Sequence, residues 1–223
     1  MDLRFEGGTM PRRPWTYTED LDPELGPERS ERVLSPYTPT VYVHGEIAPP
    51  MARRFQEALD VLTFERQVSA ALIDIASDGG DLFALASMLS AMASSRLTIV
   101  TFASGQAFSA AAILLSAGKQ GGRFMSPYGA AMIHGILTSV APQGVEDVAG
   151  QAKFDEKLNT SMMTFLAKNC GSTLKGLKGA ISQGGGRSLW LMPEDAKALG
   201  LVDHIGIPAL TQEVSYGVEG FKV

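Results

Sequence analysis

From Thr40 onward the chain alternates between two hydrophobic periods, and no other feature constrains its fold as strongly. Val41-Tyr42-Val43, Ala70-Ala71-Leu72-Ile73-Asp74-Ile75, Leu97-Thr98-Ile99-Val100-Thr101-Phe102 and Ala130 to Ile133 have the length and β-branched content of buried strands. Helical spacing fills the gaps between them. Residues 48–63 open on Pro49 and Pro50 and carry Met51, Phe55, Ala58, Leu59 and Leu62 three and four residues apart. Leu82, Leu85, Ala86, Leu89 and Met92 mark a second helix, and Ser109 to Ser116 an apolar one stopped by Gly118. A long helix is predicted over about 146–169, with Phe154, Leu158, Met162, Phe165 and Leu166 on one face. A last helix, Pro193 to Leu199, ends at Gly200. Strands alternating with helices imply βαβ units, hence an α/β fold with a mostly parallel sheet covered by helices. We find no internal repeat.

Composition sets the outer bounds. A chain of 223 residues holds one domain with a substantial core, or at most two small ones. No apolar run reaches the roughly 18 residues of a membrane span, and Asp2, Arg4 and Glu6 without an apolar stretch behind them argue against a secretory signal. The single Cys170 excludes an internal disulfide framework, and three widely spaced histidines argue against a zinc site. A net charge of −5 argues against holding nucleic acid by its phosphates. A soluble, cytoplasmic protein with no metal, no cofactor and no membrane contact is therefore expected. Residues 1–38, with Pro11, Pro14, Pro23, Pro27 and Pro36 and no periodicity, are expected to form a flexible or loosely docked arm. The domain is expected over 39–210, followed by a tail over 211–223.

Three segments carry residues suited to chemistry. Ser77-Asp78-Gly79-Gly80 ends a strand and opens a helix, where free N–H groups hold an anion or a developing oxyanion; an ordinary strand-to-helix turn reads the same way. In Gly105-Gln106-Ala107-Phe108-Ser109-Ala110-Ala111-Ala112 a serine stands at a helix start among small residues. It departs from the Gly-x-Ser-x-Gly pattern of the α/β-hydrolases, and a plain N-cap serine is the alternative. Met132-Ile133-His134-Gly135 puts a histidine at a strand end, placed as a general base or as a structural side chain. His44 and His204 lie beside no nucleophile.

Gly80, Ser109 and His134 follow in that order, 29 and 25 residues apart. With these spacings the chain resembles the Clp protease proteolytic subunit, ClpP, a serine peptidase family with the ClpP/crotonase fold of repeated ββα-type units. The resemblance covers about residues 40–206. It rests on Ser77-Asp78-Gly79-Gly80, on Gly105 to Ser109, on Met132-Ile133-His134 and on the closing Ala196-Lys197-Ala198-Leu199-Gly200-Leu201-Val202-Asp203. It implies Ser109 as nucleophile, His134 as general base, and the N–H groups of Gly80 and Ala110 as oxyanion hole. Gly79, Asp81 and Leu82 on one side, and Gly135, Ile136 and Leu137 on the other, would clamp an extended peptide. It also implies a homo-oligomer, with stacked rings, active sites inside, and residues 146–170 as the oligomerisation helix.

The chain departs from the family at three points. Twelve residues before Gly200, where the family carries its triad aspartate, stands Ser188, a possible neutral third member. Asp78 replaces the proline of the glycine turn. Residues 1–38 show no clear match to the segment that meets an AAA+ unfoldase, so that partner does not carry over; shorter phage-type variants fit this departure. The expected function is thus a serine endopeptidase acting on polypeptides through an acyl-enzyme. The alternatives are a catalytically inactive ClpP-like structural subunit of a protease or capsid-related assembly, and a crotonase-type enzyme acting on a CoA thioester.

Overall fold

The computed structural model describes residues 39–65, 68–135, 145–184 and 187–208, with side chains omitted at 65 and 145–147. They belong to one compact unit, Pro39–Ala209. The predicted arm over 1–38 and tail over 211–223 lie outside the described residues.

Five strands run parallel in the order β1 (Thr40–His44), β2 (Ala70–Ser77), β3 (Thr98–Phe108), β4 (Arg123–Met125) and β7 (His204–Ile205). A branch leaves the far end of β3, where β5 (Ala130–His134) pairs parallel with Gln106 to Phe108 and β6 (Ser188–Leu191) pairs antiparallel with β5. The sequence predicts that β3 closes at Gly105; it continues instead to Phe108. Its edge partner changes from β4 at Thr101–Ala103 to β5 at Gln106–Phe108. Gly105 and Gly129 sit at that exchange, and a Cβ on Gly129 would stand 2.9 Å from the Gly105 carbonyl oxygen. The glycines thus allow the sheet to branch and do not end the strand.

The described residues form the helices α1 (Pro49–Asp60), α2 (Leu82–Ser94), α3 (Ala110–Ser116), α4 (Val145–Asn169), α5 (Leu174–Gln183) and α6 (Pro193–Ala198). Helix α1 stops three residues short of its predicted end and passes into a wider turn over Val61–Glu65. Val41, Val43, Ile73, Ile75 and Ile99 alternate onto one sheet face and pack with Phe55, Leu85, Met88 and Leu166. Helix α3 is buried along its whole length, which its apolar sequence requires. Strands β4, β6 and β7 are too short to carry a period, and Gly176 and Gly179 mask the helical pattern of α5. Thr173 starts that helix by accepting the Gly176 N–H at 3.1 Å. No helix among the described residues is long and apolar enough to cross a membrane.

The closing Gly-Leu-Val-Asp has a structural task. Gly200, at φ 78°, lies so close to Cys170 that a Cβ would meet its carbonyl oxygen at 2.6 Å, while Leu201 and Val202 enter the core. Asp203 then binds Arg123, whose side chain is 3% exposed, through Nε at 2.9 Å and Nη2 at 2.5 Å. Nη1 of Arg123 donates to the carbonyl of Asn169 at the end of α4 at 2.8 Å. Asn169 Nδ2 in turn donates to Ser116 Oγ at the end of α3 at 3.1 Å. Burial raises the Asp203 pKa, but the hydrogen bonds and charge of Arg123, with a backbone bond from Gly121, outweigh it and hold the carboxyl below its usual range.

A depressed folded-state pKa contributes stability that is present above the unfolded value and lost as pH falls through the folded one. Asp203→Ala is expected to destabilise the protein by about 3 kcal/mol near neutral pH, because it strands a buried guanidinium. In melting curves recorded from pH 7 down to pH 3, the gap between wild type and variant should shrink only below about pH 4. A gap independent of pH would rule out the ionised pair as its source.

Candidate active site

Strand β3 turns into α3 within a single residue. Ser109 makes that reversal with φ 55° and ψ −120°, and it is the only described non-glycine residue with positive φ. Its N–H donates to the Met132 carbonyl at 2.8 Å, and its own carbonyl accepts from Ala112 N at 3.0 Å. Both ends of the turn are thereby fixed. The side chain does not cap α3, as a plain N-cap serine would. Ser109 Oγ points instead at His134 Nε2, and the two share a 2.8 Å hydrogen bond. The geometry is that of a nucleophile elbow, a strained strand-to-helix turn that exposes one hydroxyl, built on a sequence that lacks the elbow's glycine pattern.

His134 ends β5, the strand that supplies the Met132 carbonyl to the turn. Serine and histidine are therefore held by the same strand pair. On the other side of Ser109 lies the Ser77–Gly80 turn. Ser77 Oγ accepts the Gly79 N–H at 3.0 Å. Gly79, at φ 99°, leaves no room for a side chain, since a Cβ would lie 2.7 Å from Phe108 O, 2.8 Å from Ser109 Cβ and 3.0 Å from Ala110 N. Gly80, at φ 146°, is pressed against Ile47 in the same way. Ile47 N donates to Gly79 O at 2.8 Å, and Asp81 N to Ile47 O at 2.7 Å. Among the described residues, the N–H groups of Gly80 and Ala110 donate to no protein acceptor. Two uncommitted donors thus flank the serine, as an oxyanion site requires.

The remaining predicted residues are placed as follows. Asp81 caps α2, accepting the Ala84 N–H through Oδ1 at 2.7 Å. Leu82 starts that helix. Asp78, where the family turn has proline, is exposed and accepts from Gln106 Nε2 at 3.5 Å. Gly135 follows His134 with the Asn159 amide of α4 about 4 Å from where its Cβ would be. Ile136 and Leu137 lie outside the described residues. Ser188 opens β6 directly opposite His134 in the antiparallel register. No hydrogen bond joins their side chains, and among the described residues no carboxylate bonds to the imidazole.

Other reactive groups stand apart. His44 faces Asp74 at 3.4 Å on β1 and β2, and His204 contacts the Gly121 carbonyl at 3.2 Å. Burial pushes the Cys170 thiol up to about 11, with Arg123 drawing it partly back, so it offers no thiolate. Among the described residues no three His, Cys, Asp or Glu side chains are grouped to hold a metal.

A branched, mostly parallel sheet covered by helices, with Ser109 and His134 hydrogen-bonded at a strained strand-to-helix turn, defines the class as an α/β protein. The profile of the family described as Clp protease matches residues 31–208. The chain belongs to that family. It is 27% identical over 183 residues to the ATP-dependent Clp protease proteolytic subunit 2 of Corynebacterium glutamicum, covering 82% of this chain and 88% of that one. It is 30% identical over 179 residues to proteolytic subunit 1 of Rhodopirellula baltica, covering 78% and 75%. With proteolytic subunit 2 of Mycobacterium bovis the identity is 36% over 132 residues, covering 59% and 60%.

The strain at Ser109 is measurable. A residue held at such an angle costs about 1–3 kcal/mol, and glycine there costs nothing beyond about 1 kcal/mol of chain entropy. Ser109→Gly should therefore be more stable than Ser109→Ala by up to about 2 kcal/mol in denaturant titrations. Alanine melting at or above glycine would show that the turn is unstrained.

Proposed function

We propose that this protein is a serine endopeptidase that cleaves peptide bonds through an acyl-enzyme intermediate. The observation that carries the reading is the 2.8 Å hydrogen bond between Ser109 Oγ and His134 Nε2 at the strained turn. His134 Nε2 takes the hydroxyl proton as Oγ attacks the scissile carbonyl. The negative oxygen of the tetrahedral intermediate is received by the Gly80 and Ala110 N–H groups, each worth about 10²–10³ in rate. His134 returns the proton to the leaving amine, and water, activated by the same imidazole, releases the acyl group. Gly79 to Leu82 on one side and Gly135 to Leu137 on the other hold the peptide as an added strand.

Ser188 is the neutral third member in this reading. It stands opposite His134 in the β5–β6 register without a hydrogen bond to the ring, and a hydroxyl there would orient the ring less strongly than a carboxylate. The missing acid also favours a second reading, a catalytically silent subunit of a ClpP-like assembly. In either case the protein works as a homo-oligomer of stacked rings. Exposed Phe154 and Phe165 on α4 supply apolar surface for contacts between copies. The relatives are named as ATP-dependent; an ATPase partner is not part of this proposal.

A fluorophosphonate probe with peptide mapping separates the two readings. The expected result is one adduct on Ser109, absent in Ser109→Ala and strongly reduced in His134→Ala. An assembled protein that takes no label is the silent subunit. Ser188→Asp should raise peptidase turnover by at least about tenfold, within the about 10⁴ that a triad acid contributes. An unchanged rate would show that Ser188 is not at the acid's position.

A further inference from the structure

The two uncommitted N–H groups beside Ser109 stand on different pieces of chain. Ala110 follows the serine directly, so the turn that fixes Ser109 fixes its N–H as well. Gly80 lies 29 residues earlier, and its N–H must be brought to Ser109 from outside β3. The turn that carries it has little stiffness of its own. Gly79 and Gly80 both have positive φ, and glycine has more backbone freedom to lose than any other residue. Ile47 holds the turn along one edge, through the Gly79 carbonyl and the Asp81 N–H. On the side of Ser109 the glycines offer only packing, and the strand pairing of β2 with β3 ends at Ser77 and Ala107.

Asp78 supplies a bond across that gap. Its Oδ1 accepts from Gln106 Nε2 at 3.5 Å. Gln106 lies three residues before Ser109, where β3 pairs with Ala130 of β5. Among the described residues, no other side-chain hydrogen bond joins residues 78–81 to β3. Long and exposed, this bond adds little to stability. Its effect falls on placement, where a shift of about 1 Å at a reacting group costs about 10² in rate. We propose that Asp78 is a positioning residue for the oxyanion site: tied to Gln106, its carboxylate sets how close the Gly80 N–H stands to the carbonyl that Ser109 attacks. The proposal rests on the peptidase reading above. A proline at 78 would stiffen the turn without the bond. The position admits one, because the Asp78 N–H donates to no backbone acceptor among the described residues and Ser77 before it is strand.

The variants are compared as full-length, assembled protein. Asp78→Ala should lower kcat for a fluorogenic peptide, and the rate of fluorophosphonate labelling, about fivefold, with KM changed less than about twofold. Gln106→Ala should do the same, and the double variant should lose no more than either single one. Asp78→Asn, which keeps an accepting oxygen, and Asp78→Pro should both stay within about twofold of the wild type. A second measurement needs no chemistry. In Ser109→Ala protein, adding Asp78→Ala should speed amide hydrogen exchange in the peptide spanning 77–81 at least about threefold, and Asp78→Pro should not. Unchanged exchange in Asp78→Ala, additive losses in the double variant, or an alanine-like rate in Asp78→Pro overturns the positioning role. So does an alanine-like rate in Asp78→Asn, since charge and not the bond would then be acting. A wild type that takes no label removes the peptidase reading alone, because the exchange measurement uses protein without the serine.

Discussion

Strand β3 and helix α3 have one residue in which to reverse the chain, and the steric demand of that reversal organises the surroundings of Ser109. A positive φ at a side-chain-bearing residue is tolerated only where neighbours over-determine it. Here the Met132 carbonyl holds the serine N–H from β5, the buried α3 fixes the exit, and Gly79 fills the flank. The contacts that enforce the strain also place His134 and free the Gly80 and Ala110 N–H groups. The strain at Ser109, its hydrogen bond to His134 and the two uncommitted N–H groups are consequences of one packing solution.

The branching of the sheet extends this solution. If β3 ended at Gly105, β5 and its partner β6 would lose their pairing to the rest of the sheet, and His134 its fixed position. By carrying on past the glycine and changing partners, β3 delivers the serine and binds the strand that delivers the histidine. The β5–β6 pair then sets Ser188 opposite His134 and Trp190 one step behind, opposite Met132.

Much of this was legible in the sequence because the signals were local and repeated. The long apolar strands β2 and β3 and the helices α1, α2 and α4 announce themselves by period, and the order of Gly80, Ser109 and His134 pointed to a serine and a histidine that the fold brings together. The rest depends on contacts that no window contains. The extension of β3 through Gly105 depends on Gly129, and the role of Arg123 on a residue eighty positions away. The positive φ of Ser109 follows from the tertiary reversal, since its neighbours Phe108 and Ala110 carry no turn signal.

The Arg123–Asp203 clamp has a consequence for how the chain is made. Arg123 is buried among the ends of α3 and α4, yet its counter-charge arrives only at the closing strand. At a synthesis rate of about 5–20 residues per second, several seconds separate the emergence of the two. Until Asp203 appears, β4 lacks its neighbour β7 and the guanidinium must remain hydrated. Docking of the middle of the domain is therefore held back until nearly all of it has left the ribosome. A nascent chain cut short before Asp203 keeps an unneutralised cation where its core should close.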